Sequence, residues 1–137
     1  MKTQLYSING PWPGRLAISG HPRGGDWLED EVRAWRSAGV DIDVSLLTSE
    51  ENADLNLTQE AAWCESSGLP FLSFPIENRS VPAARRAAFD FVKKLDNALA
   101  EGKSVAIHCR QGIGRSALIA ACLLVLSGVA PETAALG

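Results

Sequence analysis

Apolar residues in this chain fall into two alternating patterns. Short runs at residues 5–8, 15–19, 42–47, 69–74 and 104–107 have the length and flanking turn residues of strands. Between them, apolar positions recur every three to four residues and predict helices. Over residues 26–38 the stripe is Trp27, Leu28, Val32 and Trp35, with Asp26 as a candidate N-cap and Gly39 as the stop. Thr58 can cap a helix that turns Ala61, Ala62 and Cys64 inward and stops at Gly68. A long helix over residues 82–100 carries Ala84, Ala88, Phe91, Leu95 and Leu99 on its inner face, which leaves Arg85, Arg86, Lys93 and Lys94 to solvent. Residues 115–126 are apolar almost all round and predict a helix in the core. Strands alternating with helices define an α/β fold: a central, mainly parallel sheet of four to five strands with helices on both faces. Asp43 interrupts an otherwise apolar strand and is expected near its exposed start. Pro131, Glu132 and Thr133 read as the first turn of a further helix. If that helix ends early, apolar surface beside residues 117–126 offers a route to dimerisation.

Composition narrows the class. The 137 residues form one expected domain, 1–137, with 46% hydrophobic and 21% charged residues, which rules out disorder and fibrous repeats. A net charge of −3 argues against a nucleic-acid or anionic-membrane binder. The longest apolar run, 117–126, is too short to span a bilayer, and residues 1–10 lack the apolar core of a signal peptide. Cys64, Cys109 and Cys122 are too few and too scattered for a disulfide framework, and no Cys/His cluster has zinc spacing. A reducing, cytoplasmic setting is expected.

Candidate chemistry concentrates at residues 105–116, where an apolar strand enters a glycine loop and the loop enters an apolar helix. Such a junction aims several backbone N–H groups at one point beside a positive helix terminus, which suits an anion. Three readings arise. Gly112, Gly114 and Ala117 match a dinucleotide fingerprint, but only 20 residues follow Ala117, and none looks like the strand that fingerprint needs. A tight structural turn with an incidental cysteine leaves the spacing of Cys109, Arg115 and Ser116 unexplained. The third reading uses every residue. A thiol among inward N–H groups at a helix N-terminus loses its proton readily. The planar fork of Arg115 can hold two oxygens of a phosphate dianion. Arg110, Gln111, Gly112, Ile113 and Gly114 supply loop amides, with the glycines allowing close backbone approach. Ser116 can donate to the sulfur and improve it as a leaving group, while His108 orders the loop.

His108-Cys109-x5-Arg115-Ser116 resembles the signature loop of the cysteine-based protein tyrosine phosphatases. Its late position resembles the dual-specificity branch, in its small bacterial form. The likeness extends to Gly39-Val40, to Val44-Ser45-Leu46-Leu47 and to residues 74–82. The resemblance implies attack by a Cys109 thiolate on a phosphomonoester, a phosphocysteine intermediate, and phosphate binding by Arg115 and the loop amides. It implies no metal and no other cofactor. The expected partner is a phosphorylated protein, foremost phosphotyrosine, or a small phosphomonoester.

The sequence departs from the family pattern at one place. A general-acid aspartate belongs where this chain has Asn78. Three routes remain open. Glu77 swings in as the acid. The enzyme works without an acid or borrows Asp26, Glu50 or Glu51. Or the protein is a phosphate-binding pseudophosphatase, an interaction module with little turnover. Arg79 is a candidate for charge on the pocket rim. Arg23, after the second strand, is a candidate substrate contact. Trp12, in a Pro/Gly turn, is the tryptophan to watch. Cys64 and Cys122 are expected to be buried apolar residues.

Overall fold

The computed structural model describes residues 6–8, 10–76, 85–110 and 114–126. Five strands form one sheet: β1 Tyr6–Ile8, β2 Leu16–Ser19, β3 Ile42–Ser45, β4 Phe71–Ser73 and β5 Val105–His108. The order across the sheet is β1-β2-β5-β3-β4. β1 is an antiparallel edge, and every other pairing is parallel. The α/β class, the mainly parallel sheet and its strand count are as the hydrophobic pattern predicts.

The described residues form five α-helices, four between strands and one after β5: α1 Leu28–Ser37, α2 Ser49–Asp54, α3 Glu60–Ser66, α4 Arg85–Ala100 and α5 Gly114–Leu126. Side chains alternate across the sheet with a period of two. Val105 and Ile107 join Leu95, Leu99, Ile119 and Leu123 in the core on the α4/α5 face. Ala106 joins Leu28, Val32, Trp35 and Cys64 on the α1/α3 face. Arg86, Lys93 and Lys94 are exposed, as expected of the polar side of α4. None of the described helices is long and apolar enough to cross a membrane.

Several local expectations need correction. Asp26 does not cap α1; it sits in a short 3-10 turn, Gly25–Trp27, and α1 starts without a side-chain cap. That turn swings Trp27 outward, 56% exposed, so it leaves the apolar stripe. On α3 the inward positions are Glu60 and Cys64, while Ala61 and Ala62 are exposed. The helix is rotated so that a carboxyl, not two methyl groups, meets the sheet. Asp43 is fully buried, because β3 is an interior strand lying between β5 and β4. Cys122 is exposed rather than buried. Trp12 belongs to the structure, its Nε1 donating to Asp96 Oδ1 at 3.0 Å. Residues 131–133 lie outside the described residues.

The loop after β2 is pinned to the turn after α2. Gly25 N–H donates to Asn56 O at 3.0 Å, and a Cβ on Gly24 would sit 2.0 Å from Leu55 O. Backbone on both sides leaves no flexible atom to give way. We predict that Gly24→Ala destabilises the protein by about 1–3 kcal/mol, the usual cost of overpacking. Chemical denaturation with an unchanged midpoint would show that the two loops are not held in this contact.

Candidate active site

β2, β5 and β3 run parallel, so their following loops gather at one edge of the sheet. β5 lies in the middle, flanked by strands that come earlier in sequence. Ligands of open α/β sheets bind at such carboxyl edges. Cys109 follows β5 directly and is 1% exposed. Its sulfur therefore lies at the floor of the loop edge and not on the open surface. Arg115 and Ser116 enter from the first turn of α5, both buried. The strand, thiol and arginine of the predicted loop thus occupy the positions their order implies. Glu77, Asn78, Arg79, Gln111, Gly112 and Ile113 lie outside the described residues.

The Arg115 guanidinium is held by its far edge. Nη1 donates to Glu51 Oε1 at 2.7 Å and Nη2 to Glu51 Oε2 at 2.9 Å, a two-point pair. Nη1 also donates to Ile76 O at 2.6 Å. Ile76 is itself fixed, because its N–H donates to Leu46 O at 3.0 Å, an extension of the β3–β4 pairing. A guanidinium has five N–H donors. Three of them go to Glu51 and Ile76, and Arg115 also interacts with Cys109. Arg115 is raised above its ordinary pKa, first by its hydrogen bonds to Glu51 and further by interaction with Cys109. Arginine and thiol are therefore neighbours.

Glu51 is placed by its own helix. Thr48 caps α2, accepting from Glu51 N–H at 3.2 Å, while Glu51 Oε1 accepts from Thr48 N–H at 3.1 Å. This reciprocal capping box fixes the carboxylate before it meets Arg115. Hydrogen bonding to Arg115 holds the Glu51 pKa down at about 2 against the pull of burial. Glu51 is thus held as a carboxylate and spent on Arg115, which argues against it as a borrowed general acid. Its signal was present in the sequence as Thr-x-x-Glu at residues 48–51.

Behind the thiol, on the α1/α3 face, His108 is fully buried. Its Nε2 lies 2.8 Å from Glu60 Oε2 and 3.7 Å from Asp43 Oδ1. Trp35 packs against the ring at a 5.9 Å centroid distance. Burial pulls the His108 pKa down, while it pushes the carboxyls of Asp43 and Glu60 up. Cys64 is no inert apolar residue; its thiol donates to Asp43 Oδ2 at 3.3 Å. Burial and the adjacent Asp43 raise its pKa, which leaves it a neutral thiol. His108, Glu60 and Asp43 also have the residue types and proximity of a cation site, their ligand atoms all within 4.8 Å of one another.

The remaining candidates differ in their surroundings. Arg23 Nε donates to the buried Glu31 at 2.7 Å, and its guanidinium lies 4.6 Å from the Trp27 ring centroid. It is anchored to α1. Arg110 pairs with Asp54 at 3.5 Å, half exposed. Ser116 Oγ is buried with no hydrogen-bond partner among the described residues.

Fold and site together have the form of a cysteine-based phosphatase domain. Comparison with known proteins agrees. A family described as a polymorphic toxin system DSP-PTPase phosphatase, Tc-R-P, matches residues 18–129, and the chain belongs to that family. A protein of Invertebrate iridescent virus 6 named as a tyrosine phosphatase, 197R, is 31% identical over 97% of this chain and 49% of its own length. A protein tyrosine phosphatase domain-containing protein of Bos taurus is 33% identical over 70% of this chain and 13% of its own. The chain thus spans half or less of these relatives. Among solved structures, kinase associated phosphatase with its catalytic cysteine changed to serine superposes with a TM-score of 0.87 at 19% identity, covering 98% of this chain and 80% of that one. The active form of Tk-PTP gives 0.72 at 26% identity over 90% and 76%.

The Glu51–Arg115 pair has a measurable signature. A carboxylate with a folded pKa near 2, against 4.5 unfolded, stabilises the fold above pH 4.5. That contribution is lost as pH falls from about 4.5 to about 2. The shift corresponds to about 3 kcal/mol. We expect urea stability to decline over that window in the native protein and to decline less in Glu51→Gln, which should already be weaker at pH 7. Equal acid sensitivity of the two proteins would count against the pair.

Proposed function

We propose that the protein hydrolyses phosphomonoesters, foremost phosphotyrosine in proteins, through a phosphocysteine on Cys109. The observation that carries this reading is the Arg115 guanidinium, held by Glu51 through a two-point pair and interacting with Cys109, which puts a bidentate donor for phosphate oxygens beside the sulfur. In the first step the Cys109 thiolate attacks phosphorus, an S–P bond forms, and the P–O bond to the alcohol breaks. In the second, water attacks phosphorus, the S–P bond breaks, and inorganic phosphate leaves with the thiolate restored. Arg115 and the loop amides stabilise the charge carried by the transferring group. Ser116, whose hydroxyl has no described partner, serves the sulfur as leaving group in the second step. Arg110, next to Cys109, and Arg23, in the loop after β2, would meet the substrate outside the phosphate group. A solved neighbour, TpbA of P. aeruginosa in its cysteine-to-serine form, binds phosphotyrosine; at 20% identity it supports the fold and makes that ligand the first to try. We place the activity in a reducing, cytoplasmic compartment, since a thiolate nucleophile must stay reduced.

Asn78 favours a second reading, a phosphate-binding domain with little turnover, because an amide gives no proton to a leaving oxygen. The two separate on p-nitrophenyl phosphate, whose leaving group needs little acid help. We expect hydrolysis of that ester, abolished by Cys109→Ser with phosphate binding retained. Undiminished hydrolysis by the serine variant would overturn the nucleophile. Binding of phosphate without any hydrolysis by the native protein would leave the pseudophosphatase reading standing.

Two further outcomes follow from the geometry. Arg115→Lys keeps the charge but loses both the fork to phosphate and the two-point pair with Glu51. kcat/KM should fall at least about tenfold, matching the loss of a charge-assisted hydrogen bond of about 1.5–3 kcal/mol. A positioned acid contributes about 10²–10⁴-fold, most for poor leaving groups. Activity should therefore rank p-nitrophenyl phosphate above phosphotyrosine above phosphoserine, and Asn78→Asp should raise kcat on the last two. If that substitution gains nothing and Glu77→Ala loses nothing, the proton comes from outside residues 77 and 78.

A further inference from the structure

The buried group behind the nucleophile has a use that the phosphate-binding loop does not explain. Three elements bring four titratable side chains together: Asp43 from β3, Glu60 and Cys64 from α3, and His108 from β5. Asp43, Cys64 and His108 are 0% exposed and Glu60 is 1%. Trp35 of α1 closes the group with its ring. No lysine or arginine contacts it among the described residues. Two buried carboxylates facing each other without a cation would be very costly. The least expensive arrangement carries no net charge.

The contacts define a direction for the protons. The Cys64 thiol donates to Asp43 Oδ2 at 3.3 Å. Asp43 and Glu60 bring carboxyl oxygens within 4.8 Å of one another, and two facing carboxyl groups can bond only if one carries a proton. Glu60 Oε2 is 2.8 Å from His108 Nε2. Written as carboxylates, Asp43 Oδ1 and Glu60 Oε1 are left with no donor. Written as acids, Asp43 O–H donates to Glu60, and Glu60 O–H donates to Nε2. Each group then gives one hydrogen bond to the next. A neutral imidazole that accepts at Nε2 carries its proton at Nδ1. That atom is buried with no partner among the described residues, one residue before Cys109.

We propose that Cys64, Asp43 and Glu60 form a one-directional, uncharged hydrogen-bond chain that fixes His108 as the neutral Nδ1–H tautomer. Asp43 and Glu60 are then positioning residues, acting on the nucleophile through His108 and touching no substrate. Burial supports the uncharged state of every member, raising the three acids and lowering the imidazole. The chain presents a donor, and not a positive charge, on the side of the ring away from Glu60. Its effect on catalysis rests on the reading of Cys109 as nucleophile; the tautomer is a property of the folded protein alone.

The test has two independent parts. Nitrogen-15 NMR of histidine-labelled full-length protein, assigned with His21→Gln, reads the protonation of each ring nitrogen. We expect a protonated Nδ1 and a bare Nε2 at pH 7. A protonated Nε2, as imidazolium or as the other tautomer, overturns the proposal whether or not the protein is a phosphatase. The second part compares Glu60→Gln with Glu60→Ala. A glutamine amide donates to Nε2 as a protonated glutamate does, so it should keep the tautomer and cost no more than about threefold in kcat/KM. Alanine should lose the tautomer signature and at least about tenfold in kcat/KM, with a displaced Cys109 alkylation pH profile. Equal losses in both variants with the native fold retained would mean that Glu60 acts as an ionised carboxylate. Metal analysis of the purified protein completes the test, since one equivalent of tightly bound divalent cation at this cluster would also overturn the chain.

Discussion

A guanidinium that is to grip phosphate must first be gripped itself. Arg115 has a long side chain, and at the mouth of a loop its rotamers would cost most of what the two-point contact returns. Glu51 removes that freedom. It takes the far edge of the fork, and Ile76 O takes one more donor. Both partners are held in turn: Glu51 by the Thr48 capping box and Ile76 by its bond to Leu46. The turn after β3, the helix α2, the extension of β4 and the start of α5 therefore converge on one side chain. Breaking such a pair would cost more than forming it returns, because it leaves an uncompensated buried charge.

The same economy governs β5. Its side chains alternate, so residues 108 and 109 must enter opposite faces of the sheet. Cys109 belongs to the core on the α4/α5 face and His108 to the α1/α3 face. Two adjacent residues thus meet unrelated surroundings. One faces an arginine and a helix start, the other a pair of buried acids. The central place of β5 in the sheet makes both settings rigid, since β2 and β3 hold its backbone on either side.

How much of this was legible beforehand follows from the range of each signal. The strand and the helix on either side of the loop after Cys109 have local periodicity, and both fold as read. The carboxylates that support it come from residues 43, 51 and 60, and sequence spacing carries no information on which acid meets which cation. The Thr48-to-Glu51 capping signal announces a helix start, but not that the same carboxylate will leave the cap to hold an arginine. Asp43 was conspicuous as a polar residue in an apolar run, yet exposure was expected because charged residues are rarely buried. Glu60 gave no signal, since a glutamate on a short helix is ordinarily a solvated residue and only the rotation of α3 makes it face inward. The outward turn of Trp27 has the same origin: its turn is set by the packing of Gly24 and Gly25 on the Leu55–Asn56 backbone, a contact between distant loops.

Three of the buried carboxyl groups, those of Asp43, Glu51 and Glu60, take opposite states for a reason that bears on the phosphate. Glu51 is ionised because it meets a cation, and Asp43 and Glu60 are driven towards the neutral acid because they meet none. The Arg115–Glu51 pair therefore brings no net charge to the site, and the buried acids bring none either. Under the proposed function, attraction for a phosphate dianion then comes from directed donors: Arg115, the loop amides and the positive end of α5. Donors of this kind reward an oxygen in the right place far more than they reward charge at a distance. A site so built selects the tetrahedral geometry of the transferring group, and it fits the chain's overall net charge of −3, which offers no general attraction to anions.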